Sequence, residues 1–136
     1  MSKFGELIDV EIPVLLDFYT EWDDQSEPMH LILRDVAAAL GDKAKVIKID
    51  VEGAEFEILK GANRTLTEIR PFWFVEISET KGRFNNNSKD TFKKFLDANY
   101  AAFYFNEQRE WVAVHDYGGE NDFLFVPKEM LNGLNI

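Results

Sequence analysis

Cysteine is absent from the 136 residues. That excludes a disulfide framework, a thiol nucleophile, a redox dithiol and thiolate-bound metal. Histidine is scarce: His30 and His115 are the two in the chain and stand at no metal-ligand spacing. Basic residues are few beside acidic ones, 15 against 25, and the net charge of −10 repels phosphate backbones and anionic lipid. Neither a nucleic-acid nor a membrane partner is expected. No apolar run approaches the roughly 20 residues that cross a bilayer, and the opening Met-Ser-Lys-Phe-Gly-Glu has no basic-then-apolar signal region. The expectation is a soluble, cytoplasmic chain. With 46% hydrophobic residues there is material for one ordinary core, so residues 1–136 are expected to form a single α/β domain.

Ser2 can cap a short helix ended by Pro13, with Phe4, Leu7 and Ile8 at helical spacing. Val14 to Tyr19 is an apolar run of buried-strand length, broken by the lone charge of Asp17. A polar stretch, Thr20 to Glu27, leads to Pro28 and a helix with Met29, Ile32, Leu33, Val36 and Leu40 on one face, stopped by Gly41. Lys45 to Val51 is the second strand. Gly53 to Ile69 reads as a helix that Gly61 divides. Pro71 to Ser78, PFWFVEIS, is the strongest strand and belongs at the centre of the sheet, covered on both faces.

Lys81 to Ser88 reads as an exposed loop, and the helix after it turns Phe92, Phe95 and Leu96 inward. Three short strands follow at 102–105, 110–115 and 122–126, with Gly118-Gly119 in a turn between the last two. Strand and helix alternate over the first hundred residues, which predicts parallel strands 14–19, 45–50 and 72–78 joined by right-handed crossovers. The closely spaced last strands predict an antiparallel edge.

Residues 1 to about 51 resemble the first half of a thioredoxin, through PVLLDFYTEW, a proline-led helix, a Gly-Asp-Lys turn and KVIKIDV. Where that family has Trp-Cys-Gly-Pro-Cys-Lys, Trp22 is followed here by Asp-Asp-Gln-Ser-Glu. Asp23 and Ser26 therefore stand at the two redox-cysteine positions, and neither can supply the thiolate that disulfide exchange requires. The buried acid and lysine that the family keeps beneath its redox site match Asp17 and Lys48. From Lys45 to about 128, VIKIDVEGAEFEILKGANRTL, the strand ending VEIS and the late NDFLFVP look like the C-terminal half of an FkbM-type methyltransferase.

That second resemblance implies a Rossmann-like sheet, three-layered or open and two-layered, and S-adenosylmethionine as cofactor. In such a methyltransferase the missing first half carries the glycine-rich loop and the acid that hold the cofactor. The loop Thr20 to Glu27 has no glycine and four acids, which disfavours close backbone approach to a ligand. The two resemblances meet at Lys45 to Val51, and if the first strand takes the place beside 45–51 that it has in thioredoxin, they imply the strand order 14–19, 45–50, 72–78, 122–126, 101–106. A thioredoxin-like half, 1–51, and a methyltransferase-like half, 45–136, would thus share one strand, and neither parent's active site would be complete.

Asp50, Glu52 and Glu55 lie at or just beyond the carboxyl end of a parallel strand, where open α/β sheets bind ligands, and Asp23, Asp24 and Glu27 should lie at the same end. They are the candidates for acid/base work, and Asp23, Asp24 and Asp50 for a divalent cation. Against this, Glu52 and Glu55 suit the positive start of the following helix, the reading preferred here. Asp17 and Glu76 inside apolar strands need partners, and Lys48 is the expected partner of Asp17. The face opposite the helices is expected to carry little cover beyond residues 2–9. A homodimer through that face, or through the edge strand 14–19, is the expected remedy. The leading expectation is a non-catalytic recombined or engineered chimera without cofactor. The alternatives are an S-adenosylmethionine-dependent O-methyltransferase remnant and a redox-inactive thioredoxin-like binding module that uses Trp22.

Overall fold

The computed structural model describes residues 15–18, 45–51, 53–77, 88–108 and 110–134. The expected helices at 2–9 and 29–40, the loops at 20–27 and 81–87, and Trp22, Asp23, Asp24, Ser26, His30 and Glu52 lie outside the described residues.

Six strands form one mixed sheet: β1 (Leu15–Phe18), β2 (Val46–Ile49), β3 (Phe72–Glu76), β4 (Tyr100–Phe105), β5 (Trp111–Val114) and β6 (Asp122–Pro127). Their spatial order is β1-β2-β3-β6-β4-β5, the order expected above with β5 added at the far edge. The β1/β2 and β2/β3 pairs are parallel, and the remaining three are antiparallel. The strand expected to run to residue 78 ends at Glu76, and the one expected from 102 begins at Tyr100.

Pleat parity sorts the apolar residues of each strand onto two faces. On the first face, Ile47, Ile49, Trp73, Val75, Phe123 and Phe125 are buried against helix α1 (Glu55–Gly61), the turn after it and helix α2 (Ser88–Asp97). Phe95 of α2 stacks on Phe125 at 3.9 Å and 9° and meets Trp73 edge-on at 5.7 Å. Both Phe95 and Phe125 are fully buried, and each such side chain contributes roughly 1.5–3 kcal/mol by leaving water.

The helix after β2 divides as expected. Helix α1 stops at Gly61, and residues Thr65–Ile69 form a separate π-helical turn closed by the Arg70 N–H on the Thr65 carbonyl, 2.9 Å. Arg70 then takes a left-handed backbone, φ 53°. Its guanidinium lies over the Tyr100 ring and donates to the Ala98 and Asn99 carbonyls and, in two-pronged fashion, to the Glu129 carboxylate. One side chain thereby ties together the π-turn, the end of α2 and the end of the chain.

The second face corrects an expectation. It is not bare: a 3₁₀ helix, Lys128–Gly133, follows β6, and Met130, Leu131 and Leu134 pack on Val46, Phe72, Phe103, Leu124 and Val126, all of which are buried. The six residues of this helix carry no helical period long enough to read, so sequence periodicity alone missed this cover.

Candidate functional site

The carboxyl ends of β2 and β3 and the start of antiparallel β6 meet at one end of the second face, because Glu76 pairs in register with Asp122. Lys48, in the middle of β2, reaches Asp50 just beyond it: Nζ to Oδ2 is 3.0 Å, and the two side chains are only 3% and 6% exposed. Residues two apart on a strand share a face, so the KVIKIDV spacing alone places lysine and aspartate together. The backbone register also sets Asp17 of β1 opposite Lys48. The expected neighbouring positions are observed, while the ion pair described is with Asp50.

Asp122 joins this group electrostatically. Although the residue is exposed by surface area, the protein around its carboxyl displaces enough water to raise its pKa. The negative charge of Asp50 raises it further and Lys48 opposes both. The surroundings of the carboxyl group, rather than the accessible area of the whole residue, decide that direction. Glu76, half-buried at the end of β3, sits where the strand emerges. Sequence reading singled out Asp50 and Glu76 but passed over Asp122, whose role depends on antiparallel registry with a strand far away in the chain.

Glu55 is held differently. Gly53 has φ 101°, a conformation that side-chain-bearing residues rarely adopt, and this turn aims its N–H at Glu55 Oε1, 2.8 Å away. Glu55 is the first residue of α1 and is 3% exposed, so its carboxylate serves the helix entry, the preferred reading. Asp50 and Glu55 are therefore both engaged within the protein. His115 is exposed just beyond β5. Among the described residues, no three His, Cys, Asp or Glu are grouped to hold a metal ion, and no helix is long and apolar enough to cross a membrane.

On the other face, a cleft of about 430 Å³ runs between the α1 region and α2, with Phe56 and Leu66 inside and Lys93, Lys94 and Asp97 at the rim. Lys93 is paired to Asp97. The cleft is separated by the sheet from the Lys48–Asp50 end. Near it, the buried Tyr100 hydroxyl donates to the Leu66 carbonyl and accepts from Trp73 Nε1, and burial pushes the Tyr100 pKa up to about 12. This tyrosine is a core tie, not a proton donor at neutral pH.

The family model of the FkbM methyltransferase domain matches residues 18–118, a span that takes in Lys48, Asp50, Gly53, Glu55 and the whole first-face core except β6. The chain belongs to the FkbM methyltransferase domain family. It is also similar to chloroplastic thioredoxin Y of rice (Oryza sativa subsp. japonica), 40% identical over 75 residues, covering 54% of this chain and 42% of that protein. A thioredoxin of Rickettsia typhi is 29% identical over 52 residues, 38% of this chain and 50% of that protein. The FkbM-domain chain thus spans about half the length, or less, of the curated relatives it matches. No solved structure matches it.

Both expected resemblances are present, but they interpenetrate. The FkbM match begins at residue 18, not 45, and the 17 residues before it with the 18 after it number fewer than half of the 75 in the rice match. At least half of that thioredoxin likeness therefore falls inside the FkbM span.

Proposed function

We propose that this FkbM-family chain is a non-catalytic α/β chimera, a single domain with thioredoxin-like and methyltransferase-like portions merged around β2 of a Rossmann-like sheet. The observation that carries the reading is the fate of Asp50. A carboxylate at the end of a parallel strand is useful to a ligand only if its lone pairs face the ligand. Here Asp50 is 4% exposed and its Oδ2 accepts from the buried ammonium of Lys48 at 3.0 Å, so its carboxylate faces the protein.

S-adenosylmethionine, which the family implies, presents a ribose diol, an amino-acid end and a sulfonium. It needs an open carboxylate and a stretch of backbone N–H groups at the strand ends. Among the described residues, Asp50 is taken by Lys48, Glu55 accepts the Gly53 N–H, and that glycine is consumed by its own turn. These residues do not fit the cofactor, and no catalytic step is derived through it. The family match itself favours the second reading, an O-methyltransferase remnant that retains the cofactor.

Calorimetric titration of the full chain with S-adenosylmethionine separates the two. The chimera reading expects no saturable heat up to millimolar cofactor, and a saturable isotherm refutes it in favour of the remnant. Because the 3₁₀ helix covers the second face, pairing between copies in this reading uses the outer edge of β1, and sedimentation velocity that gives only monomer at high concentration removes that part.

A further inference from the structure

The strand β5 lies at the edge of the sheet, and its hydrogen-bond phase can be read from its neighbours. The Asn106 N–H donates to the Glu110 carbonyl, 3.0 Å, and the Lys128 N–H to the Asn99 carbonyl, 3.2 Å. In an antiparallel ladder bonded and non-bonded pairs alternate, so Tyr104↔Val112 and Ala102↔Val114 are the bonded pairs, while Phe105↔Trp111 and Phe103↔Ala113 are not. The N–H and C=O groups of Trp111 and Ala113 therefore turn away from β4. Among the described residues, no strand lies beyond them.

Two further features lie on the same edge. Phe105, 49% exposed, is the one exposed large hydrophobic among the described residues, and its ring rests on Trp111 at a centroid distance of 4.9 Å. Residues 105–120 also carry four acids, Glu107, Glu110, Asp116 and Glu120, against the single base Arg109. Natural edge strands are usually blunted by lysine, proline or a bulge. Trp111–Val114, WVAV, has none of these in it.

We infer that β5 is a docking edge for an extended peptide that alternates basic and apolar residues and adds as a seventh strand. Main-chain bonds to Trp111 and Ala113 supply the pairing, Phe105 and Trp111 receive an apolar side chain, and the acidic flanks select cations and steer them in. A second copy of this edge would bring the same acids face to face, which disfavours self-pairing here.

The probe is the peptide acetyl-Lys-Val-Lys-Val-Lys-Val-amide, titrated into the isotopically labelled full chain and followed by amide chemical shifts. The expected result is saturable shifts confined to Trp111–Val114 and its flanks, weakened by salt, with no response to the Glu-Val counterpart. Ala113→Pro removes an outward donor and leaves the β4 ladder intact, because that N–H does not face β4. It should weaken binding roughly tenfold, the order expected for losing a main-chain bond plus close approach.

The double change Glu107→Lys with Glu110→Lys, both at exposed sites, should weaken binding as much without touching the strand. If Ala113→Pro perturbs folding, as judged by the β4 amides, this charge variant alone decides. Equal binding of both peptides, shifts spread over the surface, indifference to the charge reversal, or concentration-dependent β5 shifts without peptide would each overturn the inference.

Discussion

Replacing Lys48 by methionine tests whether Asp50 is structural. The substitution keeps most of the volume of the side chain and deletes its charge, leaving a carboxylate whose side chain is 6% exposed without its ammonium at 3.0 Å. Breaking a buried pair from one side costs about 3–5 kcal/mol, since the remaining charge keeps its desolvation penalty. Removing both partners in favour of apolar groups of similar size is often neutral. Lys48→Met should therefore lose about 3 kcal/mol or more, while Lys48→Met with Asp50→Leu recovers most of it. With a urea slope on the order of 1.5 kcal/mol/M, the single variant's midpoint falls by about 2 M.

The same change lifts Asp122 further, because Lys48 is the charge that opposes its raised pKa. Urea unfolding at pH 7, followed by tryptophan fluorescence and circular dichroism, measures all three proteins. A loss below about 1 kcal/mol for the single variant, or a double variant as unstable as the single, refutes the buried-pair reasoning. Asp50 would then be free to meet a ligand.

Asp122→Asn should flatten the acid side of the stability profile. Since burial holds the folded pKa of Asp122 above its unfolded value near 3.9, native stability is undiminished below that value and falls as pH rises through the window up to the raised pKa. The variant loses this fall, and urea midpoints taken across that window check it. Phe95→Ala should cost about 3–5 kcal/mol, because its ring is fully buried and stacked on Phe125. Phe105→Ala, half exposed, should stay within about 1 kcal/mol, and equal losses for the two in chemical denaturation would contradict the placement of the core. Asn99→Gly should stabilise by roughly 0.5–1 kcal/mol, as Asn99 holds φ 65° and its described hydrogen bonds use only its backbone N–H and carbonyl. A lower melting temperature for that variant would show the asparagine side chain to be needed.

The local pattern of the sequence determined the parallel sense of β1, β2 and β3, the antiparallel sense of the closely spaced last strands, and the stop of α1 at Gly61. Each follows from short-range physics: apolar runs of strand length, crossover handedness and the helix cost of glycine. It also determined that Lys48 and Asp50 share a face, because strand period is two whatever the fold.

Tertiary structure alone decided that Asp122 enters the electrostatics of that end and that Arg70 binds three elements at once. Those outcomes rest on registry between β3 and β6 and on carbonyls nearly thirty residues away along the chain, distances across which no periodicity is written. The cover over the second face was likewise decided in three dimensions. A 3₁₀ helix of six residues has too few turns to announce its apolar side, and it forms where it does because Glu129 is caught by Arg70 while Met130 and Leu131 find an apolar sheet beneath them.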